Sequence, residues 1–281
     1  MADLRIFSYM PNPRIWKATI AARLCGVTLD LRGARPGELA DWLWDFDARP
    51  LSDDDRAQGD GLARQSRTGF SGQLFKTDGF LAAHPFGTVP AAFSPDGGIG
   101  VFESNSIARA VARLRRHGPA LYGDDPYSAA RIDSFLDASL VFARDGQIYL
   151  LALGNNSIDK AIHGNAAKAF EIYLGGIEAA LSPSRDYLVG DDLTLADIVF
   201  VAELCSFARE AAHYERLAEH ALPAILHAGI AASYPGALGH FDMLCNHQAF
   251  APDIAPFMEK IDKRRRSAKA AYDPDSVSKT A

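Results

Sequence analysis

Cysteine is scarce in this chain. There are three, Cys25, Cys205 and Cys245, odd in number and widely scattered. No C-x-x-C pair and no Cys/His spacing of a metal site occurs, so a disulfide framework and a zinc site are not expected. Reduced thiols that fill core space are the expectation. No apolar run has the length of a transmembrane helix. The opening MADLRIFSY lacks the basic region and apolar run of a secretory leader, which points to the cytoplasm. Positive charge is also in deficit, with 29 Lys and Arg against 35 Asp and Glu and a net charge of −6. That argues against non-specific binding of nucleic acid. What is present is ordinary for a globular protein: 281 residues, 48% hydrophobic and 23% charged, a length natural for two joined domains.

The richest stretch is His84–Leu114, HPFGTVPAAFSPDGGIGVFESNSIARAVARL. Thr88-Val89-Pro90-Ala91 opens a strand, with proline at its start, where the missing N–H does least harm. Ser94-Pro95-Asp96-Gly97-Gly98 is a turn, and Ile99, Val101 and Phe102 form a second short strand. Ile107, Ala110, Val111 and Leu114 then fall at helical spacing. A helix start offers unpaired N–H groups and a positive dipole end, which suit a carboxylate held with help from the Ser104 hydroxyl. Glu103 beside it can accept from an ammonium group. One acid plus one helix N-terminus fits the amino-carboxylate end of an amino acid. If the Val89–Pro90 bond is cis, the Val89 backbone is presented as an edge that pairs with a peptide. A plain N-cap at Ser104 and a plain strand start at Pro90 are the simpler alternatives.

Upstream, Leu4–Tyr9 reads as a strand and Val27–Leu31 as another. The helix between them has Asn12 as N-cap, Pro13 in its first turn and Gly26 at its end. The order is βαβ…ββα, a thioredoxin-like half. From Pro126 onward the pattern is mostly helical. Amphipathic faces run through Ile132, Leu136 and Leu140 and again through Asn155–Leu174. Thr194 and Asp197 form a capping box ahead of a buried helix, with Leu193 as its staple. Phe135, Phe142, Tyr149 and Tyr214 are aromatic candidates for a substrate wall, although their spacing suits core positions.

The string P-F-G-x-V-P-A…F-E-S-x-x-I closely resembles the glutathione transferase superfamily, above all its phi and theta branches and the transferase-like domain of elongation factor 1-gamma. The resemblance implies an α/β thioredoxin-like N-terminal domain and an all-α C-terminal domain. Boundaries are expected at 1–117 and 126–258, with a mobile tail at 259–281. It implies glutathione as the bound thiol. Val89 and Pro90 would then pair with its cysteinyl backbone, and Glu103 and Ser104 would hold its γ-glutamyl end. Lys76, matching a lysine of the phi branch, would meet its glycyl carboxylate. Thr88 stands where the family carries Gln or Lys, and Phe75 replaces a histidine. The residue that holds the sulfur as thiolate falls on Asn12 by its distance from Gly26, matching an asparagine of the elongation-factor-like sequences. Tyr9 and Ser8 are the other donors available. Arg14 and Lys17 either add positive potential there or are merely solvated.

Residues 32–74 depart from the family pattern, which links the second strand to the next helix in about ten residues. Here Trp42, Leu43, Trp44 and Phe46 look like one helical turn within a long polar connection. A connection this long is either a lid, a wall for an apolar substrate or a partner patch, or else a mobile surface insertion. An enzyme is favoured over a scaffold, because the chain stops soon after its helices, whereas elongation factor 1-gamma carries a further domain. The aromatic insertion suggests a bulky apolar or aromatic electrophile. Similarity to bacterial β-etherases, which cleave lignin-derived aryl ethers with glutathione, is the specific possibility. A dimer, homo- or heteromeric, is expected from the family.

Overall fold

In this computed structural model, residues 2–66, 70, 72–183 and 185–271 are described. They form two compact units, Met1–Ala120 and Leu121–Ala281. Unit 1 begins with β1 (Leu4–Phe7), α1 (Pro13–Cys25) and β2 (Leu29–Arg32). Asn12 caps α1 by accepting from the Arg14 N–H at 3.0 Å. Gly26 stops it in the left-handed region, at φ 67°, where a side chain would also run into His117.

The next segment differs from the sequence expectation. A 3-10 turn (Pro36–Asp41) leads into β3 (Trp42–Trp44) and β4 (Arg49–Pro50), then α2 (Asp53–Ala57), α3 (Gly59–Leu62), β5 (Ala63–Gln65) and β6 (Gln73–Lys76). These strands form their own sheet in the order β4-β3-β6-β5. Trp42–Trp44 is therefore extended rather than a helical turn. Three residues are too few to separate a period of 2 from one of 3.6, and aromatic residues favour strands. The chain continues through α4 (Asp78–Ala83), β7 (Ala91–Phe93), β8 (Gly100–Phe102) and α5 (Ser104–Arg113). β7 starts one residue after Pro90, so Thr88–Pro90 precede the strand instead of opening it.

The first sheet has the order β2-β1-β7-β8, parallel between β1 and β2 and antiparallel elsewhere. Alternation along β1 sends Leu4 and Ile6 to one face and Phe7 to the other. Phe7, Ala91 and Phe93 share that second face and are buried against Leu39, Trp44 and Leu74 of the inserted segment and Phe80 of α4. Phe7 meets Trp44 edge-on at 5.3 Å, and Trp44 donates its indole N–H to Leu39 O at 3.0 Å. Residues 32–74 thus supply half of a core. A surface insertion would have left the aromatic face of β1 in water.

Unit 2 is helical: α6 (Pro126–Gly154), α7 (Lys160–Leu181), α8 (Leu195–Phe207), α9 (Tyr214–Glu219), α10 (Pro235–Cys245) and α11 (Ala251–Ala271). Phe142 stacks on Tyr173 at 4.7 Å and on Phe207 at 5.4 Å, and Tyr149 stacks on Phe207 at 5.8 Å. Phe142 and Tyr149 are core, as their spacing suggests. The tail expected from 259 is helical as far as Ala271. Its basic residues are good helix formers, and Ile261 is buried two helical turns beyond the buried Ile254. Residues 272–281 lie outside the described set. Among the described residues, no helix is long and apolar enough to cross a membrane.

Two buried carboxylates tie unit 2 together. Asp197 accepts from Thr194 N at 2.8 Å, Leu188 N at 2.9 Å and Thr194 Oγ1 at 3.0 Å, and contacts His240 Nε2 at 2.9 Å. Glu210 accepts from Tyr149 Oη at 2.6 Å and from the N–H groups of Ile225 and Leu226 at 2.8 and 3.0 Å. Burial pushes the Glu210 carboxyl up, against those three hydrogen bonds.

Asp197→Ala strands four groups and is expected to cost about 3 kcal/mol or more, while Thr194→Ala costs about 1 kcal/mol. Urea unfolding of the full chain checks the order, and equal costs would refute it. In unit 1, Asp55 is held well below the usual carboxylate range, first by Arg49 at 2.5 and 3.0 Å and then by Ser52. A carboxyl depressed on folding adds stability above its ordinary value near 4 and loses it as the pH falls. The stability gap between wild type and Asp55→Asn should be full at pH 7 and narrow by pH 3. A gap that holds or grows on acidification would contradict that role.

Candidate functional site

Strand register brings three segments to one end of the first sheet. Phe7 pairs with Ala91, and Ala91 with Phe102. β1 leaves the sheet past Phe7, β7 enters at Ala91 and β8 leaves past Phe102. Ser8–Asn12, Val89–Pro90 and Glu103–Ser104 therefore lie side by side. The Val89–Pro90 bond is cis, as is Met10–Pro11. Val89 is half-buried, and no backbone hydrogen bond of this residue is found among the described residues.

Lys76 reaches the same region from the second sheet. β6 pairs it with Trp44, and its ammonium sits over the Trp44 ring at 4.6 Å while donating to Gly87 O at 2.6 Å. Gly87 has φ 59°, and a side chain there would press on Leu81 and Lys76. Thr88 is fixed by His84, whose Nε2 lies 3.3 Å from Thr88 N and 3.2 Å from its hydroxyl. His84 is buried and stacked on Phe102 at 4.9 Å, and its Nδ1 has no hydrogen-bond partner among the described residues. Burial, aided by Lys76, pushes its imidazole below its usual value, which keeps it neutral and able to accept.

Asn12 is 2% exposed. Its oxygen caps α1, and its amide nitrogen donates to Ser8 Oγ at 3.2 Å. Tyr9 is half-buried at the edge of the aromatic core, with its ring 6.5 Å from Phe70, and its hydroxyl has no hydrogen bond among the described residues. Glu103 precedes α5 at φ 66° and ψ 126°. A residue with a side chain in that region costs about 1–3 kcal/mol and persists where its surroundings impose it, commonly at a functional site. Its carboxylate is exposed and has no partner among the described residues. Ser104, 5% exposed, opens the helix, and no side chain caps α5.

Three features escaped the sequence reading. Lys17 is fully buried rather than solvated, and donates to Ser104 Oγ at 3.1 Å and Asn105 Oδ1 at 2.7 Å. The available signal was its setting: Ile15, Trp16, Ala18, Ile20 and Ala21 leave α1 without a polar face. The His84 anchor and the Glu103 backbone carry no comparable mark. A concavity of about 410 Å³ lies in unit 2, lined by Glu178, Arg185, Asp186, His240 and Met243 among others, and holds none of the expected site residues. Among the described residues, no group of three His, Cys, Asp or Glu side chains could hold a metal ion.

Glycine tolerates the Glu103 backbone and alanine does not. Glu103→Gly is expected to stabilise the protein by about 1 kcal/mol, and Glu103→Ala to leave stability near wild type. Thermal unfolding of both variants decides this, and a destabilised glycine variant would show that the strain is misread.

A family model described as the glutathione S-transferase C-terminal domain matches residues 146–216. Elongation factor 1-gamma 1 of Oryza sativa subsp. japonica is 38% identical over 151 residues, 53% of this chain and 34% of that protein. Elongation factor 1-gamma of Homo sapiens is 31% identical over 207 residues, 73% of this chain and 38% of that protein. The chain thus spans little more than a third of the length of these curated relatives. The glutathione S-transferase of Methylobacillus flagellatus kt, solved with gsh bound, shares the fold at a TM-score of 0.59 and 14% identity, over 89% of this chain and 98% of that one. The thioredoxin-like sheet with its ββα half and the all-α second unit carrying the matched domain agree with these findings: this chain belongs to the glutathione S-transferase superfamily.

Proposed function

We propose that this chain binds glutathione at the end of the first sheet and uses its thiolate to attack an apolar electrophile. The observation that carries the reading is the meeting of an unpaired Val89 backbone with the free Glu103 carboxylate and the uncapped start of α5. In this reading Glu103 accepts from the γ-glutamyl ammonium, and Ser104 and the helix start hold its carboxylate. The backbone at Val89 and Pro90 pairs with the cysteinyl residue. Lys76 and Thr88 face the glycyl end, the lysine as a cation that also donates to Gly87 O. The sulfur lies near the start of α1, where the helix dipole favours the thiolate. Asn12 serves it with its second amide hydrogen, or Tyr9 with its unpartnered hydroxyl. The thiolate attacks carbon, a C–S bond forms, and the leaving group departs with the bonding pair and takes up a proton.

The partly buried Tyr9, Trp42 and Phe70 at the rim of the aromatic core support a bulky, aromatic electrophile, and a β-aryl ether that releases a phenol is the specific substrate proposed. A dimer in the cytoplasm, homo- or heteromeric, completes the reading. A second reading is a non-catalytic assembly module. The elongation factor 1-gamma relatives favour it, as does Asn12, whose side chain is buried and already engaged at both ends.

The test is the ultraviolet thiolate absorbance of glutathione against pH, with the unaltered chain, Asn12→Ala and Tyr9→Phe. A lowered thiol pKa that one variant abolishes supports the transferase and names the donor. Binding without any lowering supports the assembly module, and no binding overturns the glutathione site. Release of phenol from a β-aryl ether model compound then tests the substrate.

A further inference from the structure

Lys17 lies directly behind the proposed ligand site, and the inference drawn from it rests on the glutathione reading. Its ammonium is buried, 3.1 Å from Ser104 Oγ and 2.7 Å from Asn105 Oδ1. An ammonium group has hydrogens to give and no lone pair to accept with. Ser104 Oγ is therefore the acceptor in that contact, and its own hydrogen must turn elsewhere. Nothing among the described residues accepts that hydrogen. The neighbouring Asn105 oxygen is taken by the same ammonium, which keeps a side chain that favours helix caps from folding back over the start of α5. Glu103 does not cap it either.

We propose that Lys17 is a positioning residue: it sets the Ser104 hydroxyl as a donor aimed out of the fold, so that the site takes a ligand group that only accepts. The α-carboxylate of the γ-glutamyl unit is such a group. Without Lys17 the Ser104 hydroxyl is free to turn inward.

The experiment is calorimetric titration of the full chain with S-methylglutathione, using the unaltered protein, Ser104→Ala, Lys17→Met and the double variant. Loss of a hydrogen bond to a charged acceptor is worth roughly ten- to hundredfold in affinity, which is the expectation for Ser104→Ala. Lys17→Met should weaken binding about tenfold on the same scale. The double variant should bind no more weakly than Ser104→Ala, because the proposed effect of Lys17 on the ligand passes through the Ser104 hydroxyl alone. Unchanged affinity in Lys17→Met, or losses that multiply in the double variant, would overturn the proposal. A second measurement needs no substitution at Lys17. The nitrogen resonance of its ammonium should move when S-methylglutathione binds the unaltered chain and stay nearly still in Ser104→Ala at saturation. A resonance that ignores saturating ligand would overturn the proposal even if Lys17→Met failed to fold. Absence of binding by the unaltered chain is a different result, which removes the glutathione reading and this inference together.

Discussion

The antiparallel register of β1, β7 and β8 is the constraint on which the rest of unit 1 depends. Pairing Phe7 with Ala91 and Ala91 with Phe102 fixes which loops become neighbours. A slip of one residue would exchange the faces of every strand and send Phe7 away from Trp44. It would also separate Val89 from Glu103. Core and site therefore share one specification, since the aromatic contacts that stabilise the register also aim the polar groups at its end.

Side chains rather than backbone ladders make the longest connections. Asp197 joins the start of α8 to residue 188 and to His240 on α10. Glu210 joins α6, through Tyr149, to the chain at 225 and 226. Each of these acids is satisfied by several donors, which offsets the cost of burying it. Lys17 does the same for α1 and α5 in unit 1. These three buried groups thus sit at points where two helices, or a helix and a loop, must be held in one arrangement.

Much of this was legible in the sequence wherever local chemistry sufficed. Asn12, Pro13 and Gly26 bounded α1, the turn from Ser94 to Gly98 marked the hairpin, and the Thr194–Asp197 box marked α8. The second sheet was not legible because it pairs Leu43 with Phe75 and Trp44 with Lys76 across a segment of weak periodicity. The burial of Lys17 depends on Asn105, 88 residues away, and that of His240 on Asp197, 43 residues away. No local pattern encodes such partners. For the candidate site, the motif residues gather at one end of the sheet, but the backbone angle at Glu103 and the anchoring of Thr88 by His84 are properties of the folded chain alone.

The division of unit 1 into two sheets has a mechanical consequence. Among the described residues no strand of one sheet pairs with a strand of the other, and a shared apolar layer joins them. Lys76 belongs to the second sheet, whereas Glu103 and Ser104 follow the first. A molecule that touches both ends at once acts as a clasp across that layer. Its binding energy then resists the peeling apart of the sheets as well as its own departure, so occupancy and the cohesion of unit 1 rise and fall together.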